Sequence, residues 1–319
     1  MPQENLDKKD LQLLYLLDIN GRMPYSELAR KTKMSKQLVK YRITRLERDG
    51  IIKGYYTMID TSRLGFTTFR VYLKLRNITE TKKSVLLAYL HQQKQVWAIV
   101  LIAGNWDIAL GISVENIYDF HEFWDAFLEK HLEHIKDYKT CIYSPIYHYP
   151  KKYLNPSKEI TVRILGGKEK MLLDNADLKI LNHLSKNARS SLIDIAPNVG
   201  MSAENVAYRL KQLQKKNLIQ GFRAMIDVSK LGYSYYKAEI RLSNYKKMNS
   251  ITQYCQQHKN IYQVDKTIGG ETLEIEFHVK ELQDMFSIIS EMEKIFPGTI
   301  ESTNYVTVLS EEKMSYMPT

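Results

Sequence analysis

The sequence predicts an α+β chain of two tandem modules, each a winged helix-turn-helix domain followed by a ferredoxin-like βαββαβ domain. Three observations predict it. The first is an internal repeat. "MSKQLVKYRITRLERDGIIKGYYTMIDTSRLGF" (Met34 to Phe66) returns as "MSAENVAYRLKQLQKKNLIQGFRAMIDVSKLGY" (Met201 to Tyr233) at a constant offset of 167 residues. The second is a helical period of apolar residues at the start of each copy. The third is a switch from that period to strict alternation immediately after it. A chain of 319 residues has room for about two to four domains.

The helical part comes first. Leu11, Leu14, Leu17 and Ile19 recur at helical spacing behind Asp7, an N-capping residue. Asn20 and Gly21 break that helix, and Pro24 opens a short second one that buries Leu28 and Ala29. Ser35 caps a third, in which Leu38, Val39, Arg42, Ile43 and Leu46 set the period and Gly50 ends it. "IIKGYYTMID" is β-branched and aromatic, and Gly54 is placed for the turn of a hairpin wing. "NLDKKDLQLL" at Asn5 is echoed by "LLDNADLKIL" at Leu172, so the repeat covers the first helix as well.

The alternating part follows. "FRVYLKLRN" sets Phe69, Val71, Leu73 and Leu75 against Arg70, Tyr72, Lys74 and Arg76. A helix over Lys82–Gln92, strands "VWAIVLIAG" and "WDIALGISV", a helix "NIYDFHEFWDAFLEKH" and a strand "YKTCIYSPIYHY" complete the ferredoxin-like order. The second copy repeats it, with Ile108 aligned to Leu273 after a shift of the offset to 165. The predicted domains are 1–62 (winged helix-turn-helix), 63–149 (ferredoxin-like), 150–171 (a linker with Pro150, Pro156 and Gly166–Gly167, with room for one short strand), 172–229 (winged helix-turn-helix), 230–310 (ferredoxin-like) and a tail, 311–319. Each four-stranded sheet has helices on one face only, so its open face needs a partner, and sheet one against sheet two is the partner within reach. A homodimer pairing like module with like is the other arrangement.

Charge narrows the function. The net formal charge is +10 and the pI about 9.2, which favours an anionic partner. Residues 1–167 carry 26 Lys and Arg against 18 Asp and Glu, whereas residues 168–319 carry 20 against 18. The basic excess lies in the first half. Its longest apolar run, Val96–Gly104, is about half a bilayer span, and the polar N-terminus is no secretory signal, so the expectation is a cytoplasmic protein without membrane partners. Two cysteines, Cys141 and Cys255, cannot form a thiolate zinc site alone and suit a reduced compartment.

In a helix-turn-helix the second helix enters the major groove with its N-terminal residues at base edges. Ser35, Lys36, Gln37, Lys40, Tyr41, Arg42 and Arg45 are therefore the candidate DNA contacts of the first copy. A solvated basic face on a structural unit is the bland reading, and Arg42 and its equivalent Arg209 have their own: so near the apolar face, they anchor the helix to the rest of the domain. In the second copy Lys36, Gln37 and Lys40 become Ala203, Glu204 and Ala207, while Tyr208 and Arg209 repeat Tyr41 and Arg42. Ser202, Asn205, Tyr208 and Arg209 are its candidate contacts. A weaker or differently specific reader and a folding scaffold both fit this copy.

Other constellations carry less. "AGNWD" (Ala103–Asp107) and "GGE" (Gly269–Glu271) sit between the central strands, where glycine permits positive φ and close backbone approach. Tyr143, Tyr147 and Tyr149 alternate along one strand as core or interface residues. His131 and His134 lack a third ligand and read as a solvated face, so no metal and no cofactor are expected. No phosphate loop, nucleophile elbow or dinucleotide fingerprint occurs, and no enzyme is expected.

The stretch "LDKKDLQLLYLLDINGRMPYSELARKTKMSKQLVKYRITRLERDGIIKGYYTMID" resembles the N-terminal domain of the Lrp/AsnC (feast/famine) transcriptional regulators, and the sheets with "GNWD" and "GGET" resemble their effector-sensing domain. The resemblance covers nearly the whole chain in two copies, like tandem archaeal members. It implies double-stranded DNA read by Ser35–Arg45, assembly through the sheets, and an amino-acid-like effector at the turns of Gly104, Asp107, Gly269 and Gly270. Thr272 stands where the first copy has Asp107, a departure that puts the second effector turn in question. The sirohaem decarboxylases are similar in fold and form the enzymatic alternative, with His121, His131 or His148 as tetrapyrrole-pocket candidates. A protein-interaction scaffold is the third reading.

Overall fold

The computed structural model describes residues 6–76, 78–155, 161–315 and 317. Its first helical unit contains α1 (Lys8–Ile19), α2 (Tyr25–Thr32) and α3 (Lys36–Arg48). Asp7 caps α1 and forms a capping box with Asp10, while Ser35 caps α3 by accepting from the Leu38 amide at 3.1 Å. Lys33, at φ 54°, turns the chain between α2 and α3. Leu13, Leu17, Leu28, Val39, Ile43 and Leu46 are fully buried between the three helices.

The expected wing is not a hairpin. Residues Ile52–Ile59 form one uninterrupted strand, β1, and Gly54 sits at a register shift inside it. The partner that a hairpin would have supplied comes instead from the second copy.

β2 (Thr67–Leu75), α4 (Glu80–Gln92), β3 (Val96–Gly104), β4 (Ile108–Val114), α5 (Ile117–His131) and β5 (Ile135–His148) then form the first ferredoxin-like unit. β6 (Arg163–Leu165) lies in the segment expected to be a linker and pairs with β5. Pro156 lies outside the described residues, and the described ends of that segment are built into the fold: Lys151 is buried in an ion pair with Asp18, and Asp60 accepts from the amides of Gly166 and Gly167. The second module repeats the order as α6 (Asn175–Lys186), α7 (Leu192–Val199), α8 (Ala203–Lys215), β7 (Ile219–Ile226), β8 (Ser234–Leu242), α9 (Met248–Gln257), β9 (Ile261–Ile268), β10 (Leu273–Val279), α10 (Leu282–Ile295) and β11 (Ile300–Met314). β11 thus takes in the first residues of the expected tail.

The modules join at two levels. β1 and β7 form a two-stranded antiparallel ribbon, in which Ile52 pairs with Ile226 and Ile59 with Ile219. These two pairs interconvert under the offset of 167, and Tyr56 pairs with its own equivalent, Arg223, so the ribbon carries a pseudo-twofold at that pair. Each helical core is closed by the other copy's strand: Ala224 and Ile226 complete the first, Ile59 the second. Below the ribbon, the sheets run in the order β5-β2-β4-β3 and β11-β8-β10-β9. β3 pairs with β11 and β9 with β5, closing eight strands into a barrel with the four ferredoxin-like helices outside. Sheet one meets sheet two at both edges, which leaves no open edge between them.

Two alternation patterns follow from the barrel. Phe69, Val71 and Leu73 face the helices, whereas Arg70 and Tyr72 face inward. Tyr143 is likewise inside, but a register shift between Tyr143 and Ile146 reverses the strand, so Tyr147 and Tyr149 pack against the other core. The three tyrosines do not share one face. His131 is also not a solvated residue: it is buried against Tyr89 and Phe127, where α5 turns back onto the sheet.

Candidate nucleic-acid interface

α3 and α8 are each 13 residues long, and each begins after a serine whose hydroxyl accepts from the amide three residues on. Both are clipped to the first helix of their unit. Arg42 Nη1 lies 2.8 Å from Asp7 and 2.9 Å from Asp10, and Arg209 Nη1 lies 2.7 Å from Asp174 and 2.9 Å from Asp177. These pairs hold both guanidinium pKa values above the ordinary range, chiefly through the hydrogen bonds to Asp7 and Asp177 respectively. Arg45, one turn beyond Arg42, adds a 2.7 Å contact to Asp10. The guanidinium groups anticipated as DNA contacts are thus bound within the protein, Arg42 and Arg209 as clips and Arg45 beside Arg42.

What remains free to present is the first turn and a half. Lys36, Gln37, Lys40 and Tyr41 are all exposed, and Ser35 is occupied as the cap. At the start of α8 the exposed residues include Glu204, Asn205 and Tyr208, together with the cap Ser202. Tyr41 and Tyr208 have the same exposure, 65 %, so the two helices present the aromatic alike and differ in charge. The α3 end carries two lysines; the α8 end carries Glu204 and no cation until Lys211 apart from the clipped Arg209.

The two helical units are fixed to each other by symmetric contacts. Gly21 N donates to Phe222 O and Ala188 N to Tyr55 O, each the repeat equivalent of the other. Arg22 lies over the Phe222 ring at 5.4 Å and Arg189 over Tyr55 at 4.8 Å. One contact has no counterpart. Asp18, fully buried, accepts from Arg223 Nη2 at 2.6 Å and from Lys151 Nζ at 3.0 Å, whereas its equivalent in the second copy is Ser185. Burial opposes the Asp18 anion, but Arg223 and Lys151 outweigh it and hold the carboxyl well below the usual range.

The glycine turns lie at the joints of the barrel. A Cβ on Gly104 would meet Tyr305 O at 3.2 Å, and one on Gly269 would meet Thr140 O at 3.4 Å, so both glycines admit the neighbouring module's last strand. Gly270 packs on Cys141 in the same way. Asp107 pairs with Lys74 at 2.9 Å and accepts from the Leu75 amide at 2.7 Å; Thr272 keeps the equivalent amide tie, to Leu242, at 2.9 Å.

Inside the barrel lies a cavity of about 100 Å³ that reaches up to the ribbon. His148 and His278 line it, while His121 is exposed on α5 and His131 lies outside the barrel. Burial pushes His148 down to about 3 and His278 well below its ordinary value, so both are neutral at neutral pH. Sequence reasoning missed this interior. Its signal was the alternate positions of β8 and β10, where Lys237, Glu239, Glu274, Glu276 and His278 occupy what an open sheet face would show to solvent. Among the described residues no group of His, Cys, Asp and Glu is placed to hold a metal, and no helix is long and apolar enough to cross a membrane.

Known proteins fit this geometry. A family described as winged helix-turn-helix DNA-binding matches residues 6–53 and again 173–220. The HTH-type transcriptional regulator Zrp of Zymomonas mobilis is 25% identical over 139 residues, covering 43% of this chain and 88% of that protein. The proline dehydrogenase transcriptional activator of Rhodobacter capsulatus is 31% identical over 120 residues, 37% of this chain and 77% of the activator. The crystal structure of the siroheme decarboxylase NirDL matches 98% of this chain and 94% of its own, with a TM-score of 0.63 at 13% identity, a likeness of fold.

Proposed function

The chain belongs to the Lrp/AsnC family of helix-turn-helix transcriptional regulators, and we propose that it reads DNA asymmetrically, through α3 chiefly and α8 weakly. The observation that carries the asymmetry is the contrast at the two helix starts: Lys36, Gln37 and Lys40 stand exposed where the second copy has Ala203, Glu204 and Ala207. Lysine neutralises phosphate and Gln37 can bridge an adenine edge, whereas Glu204 repels phosphate and, having no donor, can only accept, as from the cytosine amino group. Tyr41, Tyr208 and Asn205 are the further contacts of the reading, and Arg42 and Arg209 position their helices.

The ribbon supports a single-chain pseudo-dimer with the two helices on one pseudo-twofold, matched to unequal half-sites about one helical turn apart, roughly 34–36 Å. An amino-acid-like effector at the turns of Gly104, Asp107, Gly269 and Gly270 belongs to the same reading, as does further association of whole chains in the cytoplasm. A salt-titrated binding assay on a random duplex pool tests it. Retention should be sequence-selective, and Lys40→Ala should reduce the log–log salt slope by about 0.9. Retention without an enriched half-site, or an unchanged slope, would count against it.

The enzymatic reading rests on the fold likeness to a siroheme decarboxylase over nearly the whole chain. Its cavity is the weak point. A volume of about 100 Å³ falls short of the ~300–1,000 Å³ of sites for drug-sized ligands, and only His148 of the three anticipated histidines lines it. A Soret shift on adding an iron tetrapyrrole to the full chain would favour this reading.

A further inference from the structure

The repeat supplies an internal control for the barrel interior. Arg70 and Lys237 are equivalent under the offset of 167, and both project inward from the first strand of their sheet. Lys237 is surrounded by acids: its Nζ lies 2.8 Å from Glu274, 2.9 Å from Glu276 and 3.6 Å from Asp265. The equivalents of those three around Arg70 are Ala109, Gly111 and Val100. Cross-strand register makes the contrast direct. Glu276 stands opposite Lys237, whereas Gly111 stands opposite Arg70.

Gly111 cannot be exchanged for an acid, because a Cβ there would lie 2.7 Å from the Trp97 ring. Arg70 is 7 % exposed and its guanidinium rests on the Tyr143 ring at 4.9 Å. Among the described residues no carboxylate comes within 4.0 Å of it, and its Nε has no hydrogen-bond partner. Glu274, Asp265 and Glu276 act on it only over longer distances. A buried cation without a contacting acceptor is costly, and native interiors rarely leave one so.

Arg70 lines the cavity together with the apolar Val100, Ile102, Ala109, Ile146 and Val306; Lys237, Glu276 and Glu311 line it too. We propose that this cavity binds a small aliphatic monocarboxylate, whose carboxylate accepts from Arg70 as Glu276 accepts from Lys237 and whose alkyl group lies on the apolar wall. The size follows from the volume. About 100 Å³ is smaller than the ~150 Å³ of an apolar cavity that holds benzene, so a short branched acid suits it better than an aromatic one. The ligand is an anion because the lysine of this interior has acids in contact, whereas those that act on the arginine lie beyond contact distance. This goes beyond the DNA reading, and its test reads no DNA, so either can fail alone.

The test uses the full chain and isobutyrate, followed by titration calorimetry and thermal unfolding, with chloride and inorganic phosphate at matched ionic strength. The parent should bind one equivalent and show a saturable rise in Tm that the inorganic anions do not produce. Arg70→Met should weaken binding by more than about tenfold. Ala109→Glu places a carboxylate where the second module has Glu274; it should fold at least as stably as the parent and lose the isobutyrate response. Val100→Phe, which fills the cavity and alters no charge, should lose it too. A parent with no saturable response, an equal response to chloride and phosphate, or a folded Ala109→Glu that binds like the parent would each overturn the proposal.

Discussion

The two reading helices differ in what they present and agree in what holds them. Both start at a serine cap, both are tied by an arginine to acids of the first helix, and both show a tyrosine at 65 % exposure. Between these fixed points the first copy carries Lys36, Gln37 and Lys40 and the second Ala203, Glu204 and Ala207. The barrel repeats the lesson: the helix-facing residues of β4 and β10 are apolar in both copies, while the inward Ala109, Gly111 and Ser113 become Glu274, Glu276 and His278. Positions that only support the fold are constrained by packing, so duplication leaves them alone. Positions facing solvent or a polar interior are free to diverge, and that is where the two halves acquire different work.

The largest effect should come from the buried lock at Asp18, which lacks a copy in the second module. Asp18→Asn leaves Arg223 and Lys151 buried without a counter-charge and should cost about 3–5 kcal/mol in denaturant unfolding. Ser185→Ala, at the equivalent position, should stay within about 0.5 kcal/mol. Equal losses would mean that the ribbon is held symmetrically after all.

Next in size is a pH effect confined to the acidic half of the barrel. Burial pushes the Glu274 carboxyl up to about 7 from an ordinary 4.5, despite the opposing pull of Arg70. A carboxyl raised on folding contributes fully below its unfolded value, and that contribution disappears as pH climbs through 7. Glu274's own contribution should therefore fall between about pH 4.5 and 7, by a magnitude on the order of 3 kcal/mol, against the opposite trend of the buried His148 and His278, and Glu274→Gln should remove that fall from the profile. A parallel pH profile for the variant would remove Glu274 as its source.

The smallest effect concerns the clips. Arg42→Ala and Arg209→Ala each remove a partly exposed ion pair and should cost about 1 kcal/mol or less, by similar amounts. If only Arg42→Ala changes the salt slope of DNA binding, its guanidinium leaves Asp7 and Asp10 for phosphate, and the agreement between the helices ends there.

Much of this was legible in the sequence, and the failures share a cause. The helices, their caps and the strand-helix order of the sheets follow from local periods, which one chain segment carries by itself. Gly54 misled because glycine marks a bulge in a long strand as readily as a turn, and the choice depended on β7, about 170 residues away. Lys151 and Arg163 read as linker because their partners, Asp18 and the carbonyls of Ile19 and Gln220, are equally remote. The acids of β8 and β10 drew no reading because closure of the barrel is a property of both modules together. For the recognition helix, the candidate residues were visible by type and spacing, as was an anchoring role for Arg42 and Arg209; that Arg45 would join them, and which acids one helix away would bind them, was not.

The measurement that bears most directly on the asymmetric reader is an exchange of the two helix faces within the intact chain. Lys36→Ala, Gln37→Glu and Lys40→Ala together give α3 the surface of α8, and salt-titrated binding to the parent's own enriched site is then compared. Loss of selectivity, with a salt slope lower by about 1.8 for the two lysines, is the expected result. Unchanged selectivity and slope would show that α3 does not read DNA through this face.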